Sequence, residues 1–130
     1  MLTIPETPNN PDYVRLAKNP SFRKDIVKEL APGCSPSDIH NGYYTDEEGR
    51  LFRLKLTNDW IKRNPSEYKR GLLFFYREEH EKLINESGYY LIVVFLTPSG
   101  KDVFKVDPLD ISVREMQVSR SWVSVAAKAL

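Results

Sequence analysis

Residues 37–55 read SDIHNGYYTDEEGRLFRLK and predict a β-hairpin. Residues 46–49 form the expected turn, because Gly49 can adopt the positive φ that a tight turn requires. Polar and apolar residues alternate along the second strand, so Arg53 and Lys55 are predicted to share its solvent side. The side chains predicted to face the core from this strand are Phe52, Leu54 and Leu56.

Two helices are predicted from the spacing of apolar residues and from helix-start signals. The first spans residues 21–31 and follows an Asn-Pro pair, which is a common helix start. The second spans residues 77–85, is expected to bury Leu83 and Ile84, and is expected to be capped by Gly88. The apolar stripe of the first helix consists of Phe22, Ile26, Val27 and Leu30.

The second half of the chain contains the strongest strand signal. The run YYLIVVFL at residues 89–96 is typical of a central strand covered on both faces, and residues 101–106 predict the strand after it. Residues 58–71 are polar and basic, and we expect an irregular segment or a short helix after Pro65. The tail from residue 114 fits a strand or a helix. This order predicts an α/β (α+β) fold with a central mixed sheet flanked by helices.

Length and composition predict a single domain inside the cell. The 130 residues divide into an extended or disordered arm at 1–11, a core at 20–113 and a tail at 114–130. No apolar run reaches membrane-spanning length, and the N-terminus lacks the residue order of a signal peptide. The one cysteine, Cys34, favours a reducing compartment. We therefore expect a cytoplasmic protein with no membrane partner.

The charge is unevenly distributed along the chain. The whole chain carries a net charge of +1, but residues 50–77 hold eight basic and two acidic residues. A locally positive segment is compatible with contacts to nucleic-acid phosphates, and a solvated charged surface is the alternative interpretation. The basic residues of this segment that are candidates for nucleic-acid binding are Arg53, Lys62, Arg63, Lys69 and Arg70.

The order of these features resembles the PD-(D/E)XK nuclease superfamily, which includes archaeal Holliday-junction resolvases and many restriction endonucleases. The resemblance covers roughly residues 20–113 and rests on Ser37-Asp38, the hairpin, Arg53-Leu54-Lys55, the second helix and the last two strands. It implies a restriction-endonuclease-like fold that hydrolyses DNA with Mg²⁺ or Mn²⁺. Carboxylates would hold the ion, and a lysine would stabilise charge on the phosphate. It also implies a possible homodimer.

The chain departs from the family pattern at one catalytic position. Arg53 stands two residues before the lysine, where the family has its second carboxylate. In one interpretation Glu67 replaces that carboxylate, so Asp38 and Glu67 bind the metal while Lys55 and Glu67 act in catalysis. In the other interpretation the site is inactive, because a cation at Arg53 repels a metal ion. The domain would then bind DNA or a protein partner without cutting.

Each candidate also has an ordinary structural explanation. Asp38 could cap a turn, since aspartate does this routinely, and Glu67 could stabilise a helix N-terminus. Lys55 could be a surface lysine. Trp60 could anchor the basic segment to the core or stack on a base, and the anchor is the preferred interpretation. A different fold altogether is the remaining alternative.

Overall fold

A computed structural model of the chain describes residues 19–38, 42–64, 67–96 and 100–130, and for residues 37, 38 and 61–64 it describes only the backbone. The expected N-terminal arm and the turn at residues 97–99 lie outside this part of the chain. Within it, the fold is a mixed α+β domain with three α-helices and a five-stranded mixed sheet, which agrees with the predicted class.

The first helix, α1 (Pro20–Leu30), begins as predicted. The side-chain oxygen of Asn19 accepts hydrogen bonds from the backbone N–H groups of Ser21 and Phe22, at 2.9 and 3.3 Å. This cap satisfies amide groups that the first turn of a helix leaves without partners. The apolar stripe packs on the sheet, with Ile26 and Val27 buried. The prediction of this helix is confirmed.

The five-stranded sheet follows the order β1-β2-β3-β7-β8. Strands β3 and β7 are parallel, and every other neighbouring pair in the sheet is antiparallel. Every residue of β7 is buried, as the continuous apolar run predicted. Helix α2 (Arg77–Asn85) precedes β7 and has the predicted bounds. The strands are β1 (Ser35–Asp38), β2 (Tyr43–Thr45), β3 (Leu51–Asn58), β7 (Tyr89–Phe95) and β8 (Lys101–Val106).

Both faces of β3 are buried, which corrects one expectation. The predicted core side is confirmed, since Phe52, Leu54 and Leu56 pack with α1. The opposite side was expected to face solvent, but Lys55 is only 7% exposed and Thr57 is fully buried. Tertiary packing explains the difference, because α2 and strand β6 (Leu72–Tyr76) approach this face of β3. The pattern of alternation predicts two different faces but does not say what covers them.

The basic segment forms a hairpin of its own, so the expectation of an irregular or helical segment is wrong. Strands β4 (Trp60–Asn64) and β5 (Glu67–Arg70) pair antiparallel, with Trp60 opposite Arg70. Aromatic and β-branched residues in the segment favour a strand, but the charged residues between them hide the pattern. The Arg70 guanidinium lies 4.2 Å from the centre of the Trp60 ring, so Trp60 packs at the base of the hairpin.

The tail contains both structures that its sequence left open. Strand β9 (Gln117–Ser121) pairs with β6, and helix α3 (Trp122–Ala126) follows it directly. A 3₁₀ helix (Pro108–Asp110) lies between β8 and β9. Two further expectations for α2 need correction. Ile84 was expected to be buried but is 39% exposed, whereas Leu83 is buried as expected. The two residues differ because each residue turns the helix by about 100°. Its C-terminal turn contains Ser87 at φ 54°, so Ser87 takes the left-handed conformation expected of Gly88.

No α-helix of the described residues is both long and apolar enough to cross a lipid bilayer.

Candidate functional site

The strand register places the backbones of Asp38 and Arg53 in one row across the sheet. Asp38 is opposite Tyr43, Tyr43 is opposite Arg53, and Arg53 is opposite Tyr90. Neighbouring strands lie about 4.8 Å apart, so the backbones of Asp38 and Arg53 are separated by about 10 Å. Lys55 follows two residues after Arg53 on the same face of β3. The hairpin therefore places Asp38 near the strand that carries Lys55.

The centre of the site is an ion pair between Lys55 and Glu79. The Lys55 ammonium contacts one carboxylate oxygen of Glu79, and each of the two residues is only 7% exposed. Two aromatic rings flank the ammonium, those of Phe75 at 5.7 Å and Tyr76 at 5.2 Å. An ammonium in this position has lost most of its hydration, so the Glu79 carboxylate and the ring faces must replace that stabilisation.

Arg53 contacts the second oxygen of the same carboxylate. Its Nε lies 3.1 Å from Glu79 Oε2, but the N–H direction does not satisfy hydrogen-bond geometry, so the contact is an ion pair only. The guanidinium also lies 5.1 Å from the centre of the Tyr43 ring. The absence of a side chain at Gly42 leaves room for the Arg53 guanidinium, since a Cβ at Gly42 would lie 3.0 Å from Arg53 Nη1. One carboxylate thus serves two cations.

Helix α2 holds the Glu79 carboxylate in place. Glu79 lies in the first turn, and its Oε1 accepts a hydrogen bond of 3.2 Å from the backbone N–H of Tyr76. This contact is one half of a capping box, and the positive end of the helix dipole stabilises the negative charge. Because Tyr76 ends β6 and α2 begins at the next residue, the strand-to-helix step sets the position of Glu79.

Burial lowers the pKa of Lys55 from 10.5 to about 8. Removal of the ammonium from water is the largest cause; the Glu79 carboxylate opposes the shift, and the nearby Arg53 guanidinium adds to it. Lys55 is therefore an ammonium that can lose its proton under mildly alkaline conditions. Lysines with lowered pKa values occur often at functional sites, and structural ion pairs can produce the same shift.

A buried histidine and tyrosine lie behind this ion pair. His80 Nδ1 and the Tyr90 hydroxyl are 2.9 Å apart, and His80 also hydrogen-bonds the backbone of Ile111. Burial lowers the pKa of His80 and raises that of Tyr90. Both groups are therefore neutral at pH 7. The His80 and Tyr90 side chains therefore satisfy their buried polar atoms by hydrogen bonds and add no charge near Glu79 and Arg53.

The structure brings only some of the predicted site residues together. Arg53 and Lys55 lie side by side, as their spacing predicted. Glu67 lies at the far end of the β4–β5 hairpin, opposite Asn64, on a strand rather than a helix. The basic candidates Lys62, Arg63, Lys69 and Arg70 belong to the same hairpin.

Sequence reasoning missed Glu79, the carboxylate that contacts Lys55. One feature of the sequence could have indicated Glu79. It is an acidic residue in the first turn of a helix that directly follows a strand, and such a residue lies at the end of a sheet. The contact joins residues 24 positions apart in the chain, and helix periodicity alone gives no reason to pair them. Among the described residues, His, Cys, Asp and Glu form no group of three that could hold a metal ion.

Comparison with known proteins gives no relative. No family model matches the chain, no curated protein resembles it, and no solved structure is similar to it.

We expect Lys55 to lose its proton near pH 8 in the folded protein. In the unfolded chain the lysine titrates near 10.5, so between these values the unfolded state binds more protons. The contribution of Lys55 to the free energy of unfolding therefore becomes more favourable as the pH rises from 8 towards 10.5. The ¹³Cε chemical shift of Lys55 measures the midpoint directly, and a midpoint above about 9.5 would contradict the prediction.

The Lys55→Met variant provides the control for this measurement. Its spectrum lacks the Lys55 signal, which confirms the assignment. Subtracting its pH-dependent unfolding free energy from that of the wild type cancels the titration of Tyr89 and Tyr90. Their pKa values are raised by burial, so they act in the opposite direction and lower stability above about pH 10.

Proposed function

We propose that this protein is a metal-dependent nuclease that hydrolyses DNA phosphodiester bonds, with a restriction-endonuclease-like fold. The observation that carries the proposal is the buried contact between the Lys55 ammonium and the Glu79 carboxylate. A lysine beside a carboxylate, on a strand reached through a hairpin from an aspartate, has the composition of a PD-(D/E)XK site. Glu79 supplies the carboxylate that Arg53 replaces in the motif and takes the role first expected of Glu67.

The element order supports the proposal. A helix, a three-stranded antiparallel meander, a second helix and two further strands occur in the order that the resemblance implies, with strands β4, β5 and β6 inserted between the meander and the second helix. The register supports it as well, because Asp38 is two strands from Arg53 in the same row. Glu79 reaches this row from the helix that precedes β7. Helix α2 thereby brings a carboxylate to the face of β3 that carries Arg53 and Lys55.

Carboxylates are the donor type that would bind a hard divalent cation. Asp38 and Glu79 would hold Mg²⁺ or Mn²⁺, since both ions prefer carboxylate oxygens. The bound ion would activate water and offset charge on the phosphate. A metal ion could take the place of Arg53 beside Glu79, because the ion pair between Arg53 and Glu79 lacks hydrogen-bond geometry. Lys55 would donate to a phosphate oxygen, and its low exposure strengthens that interaction.

The charge balance favours a second candidate function, a DNA-binding module that does not cut. Arg53 and Lys55 share one carboxylate, so these three described side chains carry a net positive charge. A pair of cations over one carboxylate suits a phosphate group without any metal. In this case Glu79 only positions the two cations. The two candidates differ in one measurable property, which is the cleavage of bound DNA.

A cleavage assay with Mg²⁺ or Mn²⁺ tests the proposal. We expect Lys55→Met, Glu79→Gln and Asp38→Asn each to lower the cleavage rate by about 100-fold or more, because each removes a group that stabilises the transition state or its metal. Glu81→Gln is the matched control on the same helix, since Glu81 is exposed and pairs with Arg77 on the surface. Circular dichroism confirms that each variant is folded.

The outcomes separate the candidates. If the wild-type protein leaves DNA intact at every metal concentration but binds it in a salt-sensitive way, the nuclease proposal is rejected. The DNA-binding module is then the function that agrees with the result. Loss of cleavage in Glu67→Gln with full activity in Glu79→Gln would return the catalytic role to Glu67. Sedimentation of the wild type with and without duplex tests the homodimer that the resemblance implies.

A further inference from the structure

A cleft opens on the α1 side of the sheet, at the point where α1 ends. Its volume is about 450 Å³, which lies within the range of about 300–1,000 Å³ that is usual for small-molecule sites. The floor of the cleft includes Phe52, Tyr89 and Leu91, which belong to the core cluster under α1. Lys55 contacts Glu79 of α2 on the other face of the sheet, so the cleft is separate from the candidate site.

The sides of the cleft are apolar as well. Leu30 and Pro32 line it from the end of α1 and the loop after it, and Val103 lines it from β8. Val103 is 42% exposed and lies on the edge strand of the sheet. A compact apolar group that enters between these side chains leaves water, which favours binding.

Two cations lie at the Tyr89 end of the cleft. The Arg50 guanidinium is 4.8 Å from the centre of the Tyr89 ring, and the Lys105 ammonium is 5.0 Å from it. Arg50 Nε donates a hydrogen bond of 3.2 Å to the backbone carbonyl of Ser87. Neither cation forms an ion pair with a carboxylate of the described residues, and both side chains are exposed. A ligand in the cleft can therefore reach both charges.

The carboxylates of the cleft make other contacts. Asp46 Oδ2 accepts a hydrogen bond of 2.9 Å from the Tyr89 hydroxyl, and Asp46 Oδ1 accepts two more from backbone N–H groups of its own turn. Glu47 lies against the loop after α1, since a Cβ at Gly33 would overlap its side chain. The negative end of the α1 dipole is at the same loop. An anion is therefore favoured beside the two cations and disfavoured at the helix end.

We propose that this cleft binds a small organic acid. The carboxylate of the ligand lies beside Arg50 and Lys105, and its compact apolar body lies between the end of α1 and β8. Guanidinium and ammonium groups bind carboxylates through charge-assisted hydrogen bonds. The apolar contact supplies most of the affinity, because exposed charge pairs alone contribute little. The proposal involves neither DNA nor a metal ion, so it goes beyond the proposed nuclease function and does not rest on it.

Calorimetric titration with naphthoate, an aromatic carboxylate, tests the role of the two cations. Arg50→Gln/Lys105→Gln removes both charges and keeps hydrogen-bonding groups, so we expect the dissociation constant to rise by about tenfold. Arg77→Gln/Lys82→Gln makes the same charge change at exposed positions of α2, and Lys82 also lies 5.2 Å from the centre of a tyrosine ring. This control is expected to change the constant by less than about twofold.

Filling the cleft gives a test that does not depend on charge. Val103→Trp places a large side chain in the cleft at an exposed position, so it should weaken naphthoate binding by about tenfold or more while the protein stays folded. Ile84→Trp adds the same side chain at an exposed position of α2 and should leave the constant unchanged. In the wild type, naphthoate should shift the methyl resonances of Leu91 and Val103 but not those of Leu83, which lies in the other core cluster.

Naphthylmethylammonium distinguishes an acid site from a cleft that binds any apolar group. We expect it to bind at least about tenfold more weakly than naphthoate, because its charge is repelled by the two cations. Equal or tighter binding of this ammonium ion would overturn the proposal. Equal losses in the two charge variants, or no saturable binding of naphthoate at millimolar concentrations, would also overturn it. The titrations use the whole chain without DNA or metal, so their outcome is independent of the nuclease proposal.

Discussion

Glu79→Ala is expected to lower the free energy of unfolding by about 3–5 kcal/mol, because it leaves buried charges without their carboxylate. Without Glu79, Lys55 must either keep an ammonium without a counter-ion in a site that is 7% exposed or give up its proton, and Arg53 loses the same partner. The substitution also removes the hydrogen bond to the Tyr76 backbone at the start of α2. Urea denaturation followed by circular dichroism measures the change, with the slope m checked for two-state behaviour.

Two variants control this experiment. Glu81→Ala removes a glutamate from the same helix, but its side chain is 61% exposed and its pair with Arg77 is a surface pair, so we expect less than about 1 kcal/mol. Lys55→Met/Glu79→Leu replaces both charges with apolar groups and should recover much of the lost stability. A Glu79→Ala loss as small as that of Glu81→Ala would show that the ion pair is not buried in solution.

Gly71→Ala is expected to destabilise the protein by about 3 kcal/mol or more, because the added methyl group has no space. A Cβ at Gly71 would overlap the backbone carbonyl oxygen of Asn58 and press on the Thr57 side chain. Asn58 is the last residue of β3 and is in register with Phe95 on the central strand β7, so its carbonyl group cannot move without disturbing the sheet. Thermal and urea unfolding measure the loss.

Gly33→Ala is the matched control. A Cβ at Gly33 would also overlap another group, but that group is the exposed side chain of Glu47, which can rotate into solvent. We therefore expect a loss below about 1 kcal/mol. Similar losses in the two glycine variants would contradict the argument, which depends on the difference between a sheet backbone and a flexible side chain.

Local sequence signals predicted most of the secondary structure correctly. Asn19 marks the start of α1 because its side chain can cap the first turn, and this depends only on neighbouring residues. The run at residues 89–96 marks β7, since a strand buried on both faces needs apolar residues at every position. The β4–β5 hairpin was missed because the charged residues of its strands hide the aromatic and β-branched pattern that favours a strand.

The candidate site divides in the same way. Alternation along β3 by itself placed Arg53 and Lys55 on one face, since side chains two residues apart in a strand point the same way. Only the tertiary structure decided that this face is buried and that its carboxylate is Glu79. Burial depends on which elements pack over a strand, and a partner 24 residues away depends on where a helix begins in space. Local periodicity predicts neither the burial of this face nor the identity of its carboxylate. The sequence therefore indicated the two cations, and only the tertiary structure identified their counter-ion.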